Sequence, residues 1–152
     1  MGPVHRLLGG FLTLVAVLTL AGCDEHRIDP DSFTLTYSTS NGAVAPTYQR
    51  STSLEIDGRE AHLVVTEKGE QTTDQTVELS SDALQQVITS VDALDHRDSA
   101  SDCAGGTTYT LTWGDDSGTL GKQDVRSCNE EDRNAADQAR TAIEPALSAF
   151  DS

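Results

Sequence analysis

The stretch Thr107-Thr-Tyr-Thr-Leu-Thr-Trp113, followed by Gly114-Asp-Asp-Ser117 and Gly118-Thr-Leu-Gly-Lys-Gln-Asp-Val125, decides the fold of this chain. Apolar residues alternate with threonines up to a turn signal, and a second polar–apolar run follows it. That is a strand–turn–strand pattern with side chains of period two. With Trp113 opposite Gly118 across a four-residue loop, Leu111 faces Leu120 and Tyr109 faces Lys122. Tyr109, Leu111, Trp113 and Leu120 then share one face, leaving Thr108, Thr110 and Thr112 on the other. The same register sets Cys103 opposite Cys128 at the open end of the hairpin.

The pattern repeats toward the N-terminus. Phe33-Thr-Leu-Thr-Tyr37 alternates like a half-buried strand, and Asn41-Gly42 signals a turn. Pro46 makes the next stretch an edge or a loop. Ser53–Ile56 and Ala61–Thr66 flank Asp57-Gly58 as a hairpin, with Leu54, Ile56, Ala61, Leu63 and Val65 on one face. Lys68–Gln75 is polar and loop-like, and Thr76–Leu79 adds a short strand. Ser81 is the expected N-cap of a helix over Asp82–Leu94, whose Leu84, Val87, Ile88, Val91 and Leu94 follow a 3.6-residue stripe. A second helix begins after Asn129, where Glu130, Glu131 and Asp132 suit the positive end of the helix dipole. Its stripe is Ala136, Ala139, Ile143, Leu147 and Phe150, and Pro145 should kink or restart it. One-sided strands need cover. The expected fold is therefore α+β: an antiparallel sheet of about four to five strands with two helices packed on one face. Thr34-Leu-Thr-Tyr37 also resembles Thr110-Leu-Thr-Trp113, which either duplication or convergent strand composition explains.

All 25 acidic residues lie beyond residue 23, and Arg6 is the only Lys or Arg before it. Residues 1–22 combine that short basic start with an apolar run from Leu7 to Leu20, too short for a comfortable membrane span and of the length of a signal-peptide core. The run ends in Leu20-Ala21-Gly22-Cys23, which resembles the lipobox of bacterial lipoprotein precursors. The resemblance implies diacylglycerol on the Cys23 sulfur, cleavage before Cys23 and two further consequences: palmitate-type acyl chains on the mature protein, and a location on the cell membrane facing the extracytoplasmic side. Asp24 resembles the inner-membrane retention signal of enterobacterial-type lipoproteins, a signal without meaning in a single-membrane cell. The expected organisation is a signal peptide over 1–22, a lipidated cysteine and polar tether over 23–32, and one domain over 33–152. Nine tether residues reach at most ~30 Å.

Removing the signal leaves 25 acids against nine Lys and Arg, a net charge of −16. That excludes a general nucleic-acid binder, which displaces counterions from phosphate with a basic face. Lipidation of Cys23 leaves Cys103 and Cys128, an even pair in an oxidising compartment, and a structural disulfide between them is the expectation.

No catalytic motif emerges. His5, His26, His62 and His96 are scattered without HxH, HxxxH or HExxH spacing, so no zinc site is expected. Asp95, His96, Arg97, Asp98 and Asp102 form a polar loop that could hold a cation, but a solvated, self-paired loop is the ordinary outcome. Asp115-Asp116-Ser117-Gly118 lacks the alternating acids of an EF-hand and reads as a turn. There is no GxSxG elbow or SxxK. No metal, cofactor or catalytic residue is therefore assigned.

The element order, with Gly106-Thr-Thr-Tyr109-Thr-Leu-Thr112 after the first helix, distantly resembles emfourin, a family of small bacterial metalloprotease inhibitors. That family also runs hairpin, helix, a second hairpin opening near an Asp-x-x-Tyr phrase, and a closing helix. Its glycine-rich opening is reduced here to Ser40-Asn41-Gly42, and the two cysteines and the anchor are additions, so no inhibitory residue is transferred. Two functions are expected in order: a non-enzymatic, membrane-anchored binding or interaction domain with an extracytoplasmic protein partner or other ligand, and a tethered protease inhibitor using the 38–50 segment.

Overall fold

A computed structural model describes residues 28–41, 44–98 and 103–151. The element order is β1 (Thr34–Ser40), β2 (Arg50–Asp57), β3 (Glu60–Glu67), β4 (Glu70–Glu78), α1 (Ser81–Asp92), β5 (Arg97–Asp98), β6 (Thr108–Asp115), β7 (Gly118–Arg126) and α2 (Glu130–Leu147). The α+β class holds, but the sheet is larger than expected: seven strands in the order β4-β3-β2-β1-β6-β7-β5. Six of them pair antiparallel, and the two-residue β5 runs parallel to β7.

Period two sorts the sheet into two unlike faces. Leu35 and Tyr37 of β1 pair with Ile56 and Leu54 on one side and with Trp113 and Leu111 on the other. Ala61 and Leu63 continue the same face through β3, and all of these are buried. Leu84, Val87, Ile88 and Val91 of α1 and Ala135, Ala139, Ala142, Ile143 and Ala146 of α2 join them in one core. The opposite face carries Thr36, Ser38, Ser53, Thr110 and Thr112 and lies outside the core.

Both helices are capped as short polar residues cap helices. The Ser80 hydroxyl accepts the Ala83 N–H at 3.1 Å, so the cap of α1 lies one residue before the expected Ser81. The Asn129 side chain accepts the Asp132 N–H at 2.9 Å. Pro145 lies inside α2, which continues to Leu147 before a 3-10 turn over Ser148–Asp151.

Three expectations are corrected. Lys68–Gln75 is a tight turn leading into β4, an edge strand whose EQTTDQTVE sequence exposes nearly every side chain. Lys68 at φ 56° and Gly69 at φ 80° make the turn. The β6–β7 register is shifted: Leu111 pairs with Gln123 and Trp113 with Gly121, and an irregularity follows between Trp113 and Gly114. The loop is two residues, because the Asp115 carboxylate accepts the Ser117 N–H at 2.8 Å and closes the turn early. Leu120 consequently lies off the core face and is exposed. Finally, the packed chain begins before Phe33: Ile28 is buried, and Asp29–Ser32 form a turn in which Ser32 N donates to Asp29 O at 3.2 Å.

Cys103 and Cys128 form a disulfide with their Cα atoms 5.8 Å apart. Neither lies in the ladder, so the bond closes the loops that enter β6 and leave β7 rather than a strand pair. Closing 25 residues stabilises the fold by ~3.5 kcal/mol in the chain-entropy account.

Gly121 tests the observed register. A Cβ there would meet the Trp113 ring at 2.0 Å, with Trp113 buried and held in rank with Leu35. Gly121→Ala should cost about 1–3 kcal/mol in urea unfolding and shift the emission of the single tryptophan. Unchanged stability and emission would restore the Trp113–Gly118 register.

Candidate functional site

Along the core face of the sheet, apolar ranks give way to polar ones. Ile56, Leu35 and Trp113 form one rank, and Leu54, Tyr37 and Leu111 the next. Thr52, Thr39 and Tyr109 follow, and Arg50 lies one step further along β2. Helix α2 borders this polar end with Ala136, Asp137, Arg140 and Leu147. Between them is a cleft of about 350 Å³, completed by Thr107 and Ser127. Ser127 N donates to Thr107 O at 2.8 Å, which joins the two rim residues beside the disulfide.

The cleft brings two arginines, Arg50 and Arg140, together with one carboxylate, Asp137. Arg50 is neutralised by Glu67, its cross-strand partner. Arg140, exposed at the rim, forms no ion pair or hydrogen bond among the described residues. Tyr37 and Arg140 line the same cleft; burial raises the Tyr37 pKa, and the Arg140 charge opposes that rise.

A buried polar network backs the cleft. The Tyr109 hydroxyl donates to Gln123 Oε1 at 3.3 Å, and Gln123 Nε2 donates to the Asp95 carbonyl at 2.8 Å. Arg97 reaches Glu131 at 2.9 Å and the buried Asp132 at 3.4 Å, pinning the start of α2 to β5. Asp132 Oδ2 has no hydrogen-bond partner among the described residues. Desolvation chiefly raises the Tyr109 pKa to about 12, with Asp132 and Tyr37 adding to the rise and Arg97 opposing it.

Other candidates do not converge. His62 bonds Asp74 at 2.8 Å, and Gln71 donates to the same carboxylate. These two bonds, His62 first, hold Asp74 below the ordinary carboxylate value. His96 lies 3.8 Å from Asp98, and neither pair includes a serine or cysteine. Within the polar 95–102 loop Arg97 turns to α2, and Asp102 lies outside the described residues. Among the described residues no group of three or more His, Cys, Asp or Glu is arranged to hold a metal. Two larger grooves, about 750 and 590 Å³, run along the outer surface of α1 and α2. Their linings include Asp82, Glu144 and Asp137 with neutral side chains and no cation, so opposite charges do not meet there.

Cys23 lies outside the described residues. No helix among them is long and apolar enough to cross a membrane. No family model, curated protein or solved structure matches the chain. The sequence pointed to Tyr109 as a core residue only. The convergence of Tyr37, Arg50 and Arg140 carries no local motif, because β1, β2 and α2 supply one residue each.

Tyr109 makes the fold alkali-sensitive. A phenol whose folded pKa exceeds its unfolded value of 10.0 keeps more protons in the native state. Its contribution is complete below pH 10 and is lost as pH rises toward about 12. Urea unfolding across that interval should show the loss, and Tyr109→Phe should reduce it, Tyr37 supplying the remainder. Equal slopes for the two proteins would contradict this account.

Proposed function

We propose that this chain is a bacterial lipoprotein that displays a small, non-enzymatic binding domain on the extracytoplasmic side of the cell membrane. The anchor reading rests on Leu20-Ala21-Gly22-Cys23 after an apolar, acid-free run. The binding reading rests on the cleft, whose guanidinium, phenols and hydroxyls are groups that hold a ligand by hydrogen bonds and charge. With Ile28 packed, four residues, 24–27, link Cys23 to the folded domain and let it stand at most ~18 Å away. The domain then stands close above the bilayer, and its acidic surface disfavours contact with anionic head groups.

Metabolic labelling with palmitate tests the anchor. The wild-type chain should be labelled and fractionate with membranes, and Cys23→Ser should lose both properties. An unlabelled wild type would overturn the lipoprotein reading.

Tyr48 favours a second reading, that of a tethered inhibitor similar to emfourin. It is 73% exposed in the 38–50 segment, on a turn where Tyr48 N donates to Ala45 O at 2.8 Å and Asn41 Nδ2 donates to Tyr48 O at 2.6 Å. An aromatic side chain fixed outward on a braced turn suits insertion into a protease subsite. Under this reading the full chain should inhibit a metalloprotease such as thermolysin near stoichiometry, with Tyr48→Ala weakening inhibition at least ~10-fold. Full protease activity in excess chain would remove it.

A further inference from the structure

The polar end of the core face is an unusual way to finish a sheet. Helix α2 covers the apolar ranks with small residues, Ala135, Ala139, Ala142 and Ala146, and so sits close to them. Where the ranks turn to Thr52, Thr39 and Tyr109, the covering element presents Asp137, Arg140 and Leu147, and a space of about 350 Å³ is left. The space is small for a ligand pocket but within the range that takes one small molecule.

Its chemistry is specific. Six hydroxyl-bearing residues line it (Tyr37, Thr39, Thr52, Thr107, Tyr109 and Ser127), of which Tyr109 already donates to Gln123. Hydroxyls both donate and accept, so they match a ligand that carries hydroxyls of its own. The charged groups differ in availability: Arg50 already has Glu67, whereas Arg140 has no partner among the described residues. A guanidinium presents a planar fork of donors that fits a carboxylate with two parallel bonds. Asp137, one turn before Arg140, adds an acceptor and a negative charge. With Asp137 one turn from Arg140 the charge of the lining is small, so a single carboxylate on the guanidinium fork fits better than the two charges of a phosphate monoester, for which no helix N-terminus lines the cleft.

We infer that the cleft between β1, β2, β6 and α2 binds a sugar acid, its carboxylate on Arg140 and its hydroxyls on the threonine and tyrosine hydroxyls. The inference rests on the binding-domain reading and names the ligand class of that site. One ion pair at the rim and a few neutral hydrogen bonds place the affinity at about millimolar to ~0.1 mM.

The test uses the full chain, isotope-labelled and purified in non-ionic detergent, titrated with gluconate, glucuronate and N-acetylmuramate. Glucose and N-acetylglucosamine are the neutral counterparts, and glucose 6-phosphate is the phosphate counterpart. At least one sugar acid should saturably shift the Arg140 Nε–H resonance and the backbone amides of Thr39, Thr52 and Thr107. Arg140→Gln should weaken that binding ~10-fold or more. Arg140 is exposed, so this variant should keep the wild-type amide spectrum elsewhere; the Arg140 resonance of the wild type gives the answer even if it does not. The inference falls if no acid saturates by about 20 mM, if neutral sugars bind as well, if only the phosphate binds, or if the wild-type Arg140 signal stays still during saturation. The ligand's own spectrum separates the two levels of the claim. A ligand that binds unchanged supports both, whereas one consumed at the cleft keeps the carboxylate site and overturns the non-enzymatic reading. Palmitate labelling bears on neither outcome.

Discussion

The contact that organises this protein is the apolar rank across the middle of the sheet: Ile56, Leu35 and Trp113, then Leu54, Tyr37 and Leu111. A sheet with one apolar and one hydroxyl face can remove only the first from water, so both helices must lie on the same side. Their own stripes fit that requirement, with branched residues on α1 and alanines on α2. Alanine lets α2 approach the backbone closely, and close approach is what the large Tyr37, Tyr109 and Trp113 require of their cover. Covering ends where the ranks become polar. The cleft is thus a consequence of how far the apolar face extends, and its walls are fixed by the same register that builds the core.

The sheet has a local two-fold relation at its centre. β1 and β6 are antiparallel neighbours, and Thr36 pairs with Thr112. Around that pair the similar phrases Thr34-Leu-Thr-Tyr37 and Thr110-Leu-Thr-Trp113 exchange places: Leu35 meets Trp113 and Tyr37 meets Leu111. A leucine faces an aromatic ring at both positions, which distributes the bulk evenly under the helices. β2 and β7 then flank the pair on either side. Duplication and convergence both produce such an arrangement, but its packing value is independent of origin.

Much of the fold was legible because burial imposes periodicity. The β2–β3 hairpin formed with Leu54, Ile56, Ala61, Leu63 and Val65 on one face, since a one-residue slip would have turned that whole set to solvent. The α1 stripe was equally constrained. Where burial is absent, the pattern vanishes: β4 is an exposed edge strand, held by backbone bonds to β3, and its polar sequence looks like a loop. The β6–β7 register was missed for a different reason. A single carboxylate, Asp115, closes the turn on Ser117, and a bulge after Trp113 absorbs the difference, neither of which alternation reveals. Ile28 was missed because one apolar residue between polar neighbours has no period at all. Composition did mark Cys103 and Cys128, whose bond needs only the loops to meet and so survives the register shift. The cleft itself was invisible, since Tyr37, Arg50 and Arg140 come together only after the sheet and α2 are assembled.

The acidic surface and the Arg140 guanidinium act at different ranges. A net charge of −15 repels anions that approach from solution, but at physiological ionic strength that field fades over about 8 Å. Arg140 acts at contact, where its planar donors meet an acceptor of matching shape. The long-range field lowers the rate of encounter for anions of all kinds, and most for those of high charge, such as phosphates and polyanions. The short-range contact lengthens the stay of an anion with a single charge and the right geometry. Repulsion outside and attraction at one point therefore work together as a filter, which a neutral protein with the same cleft would lack.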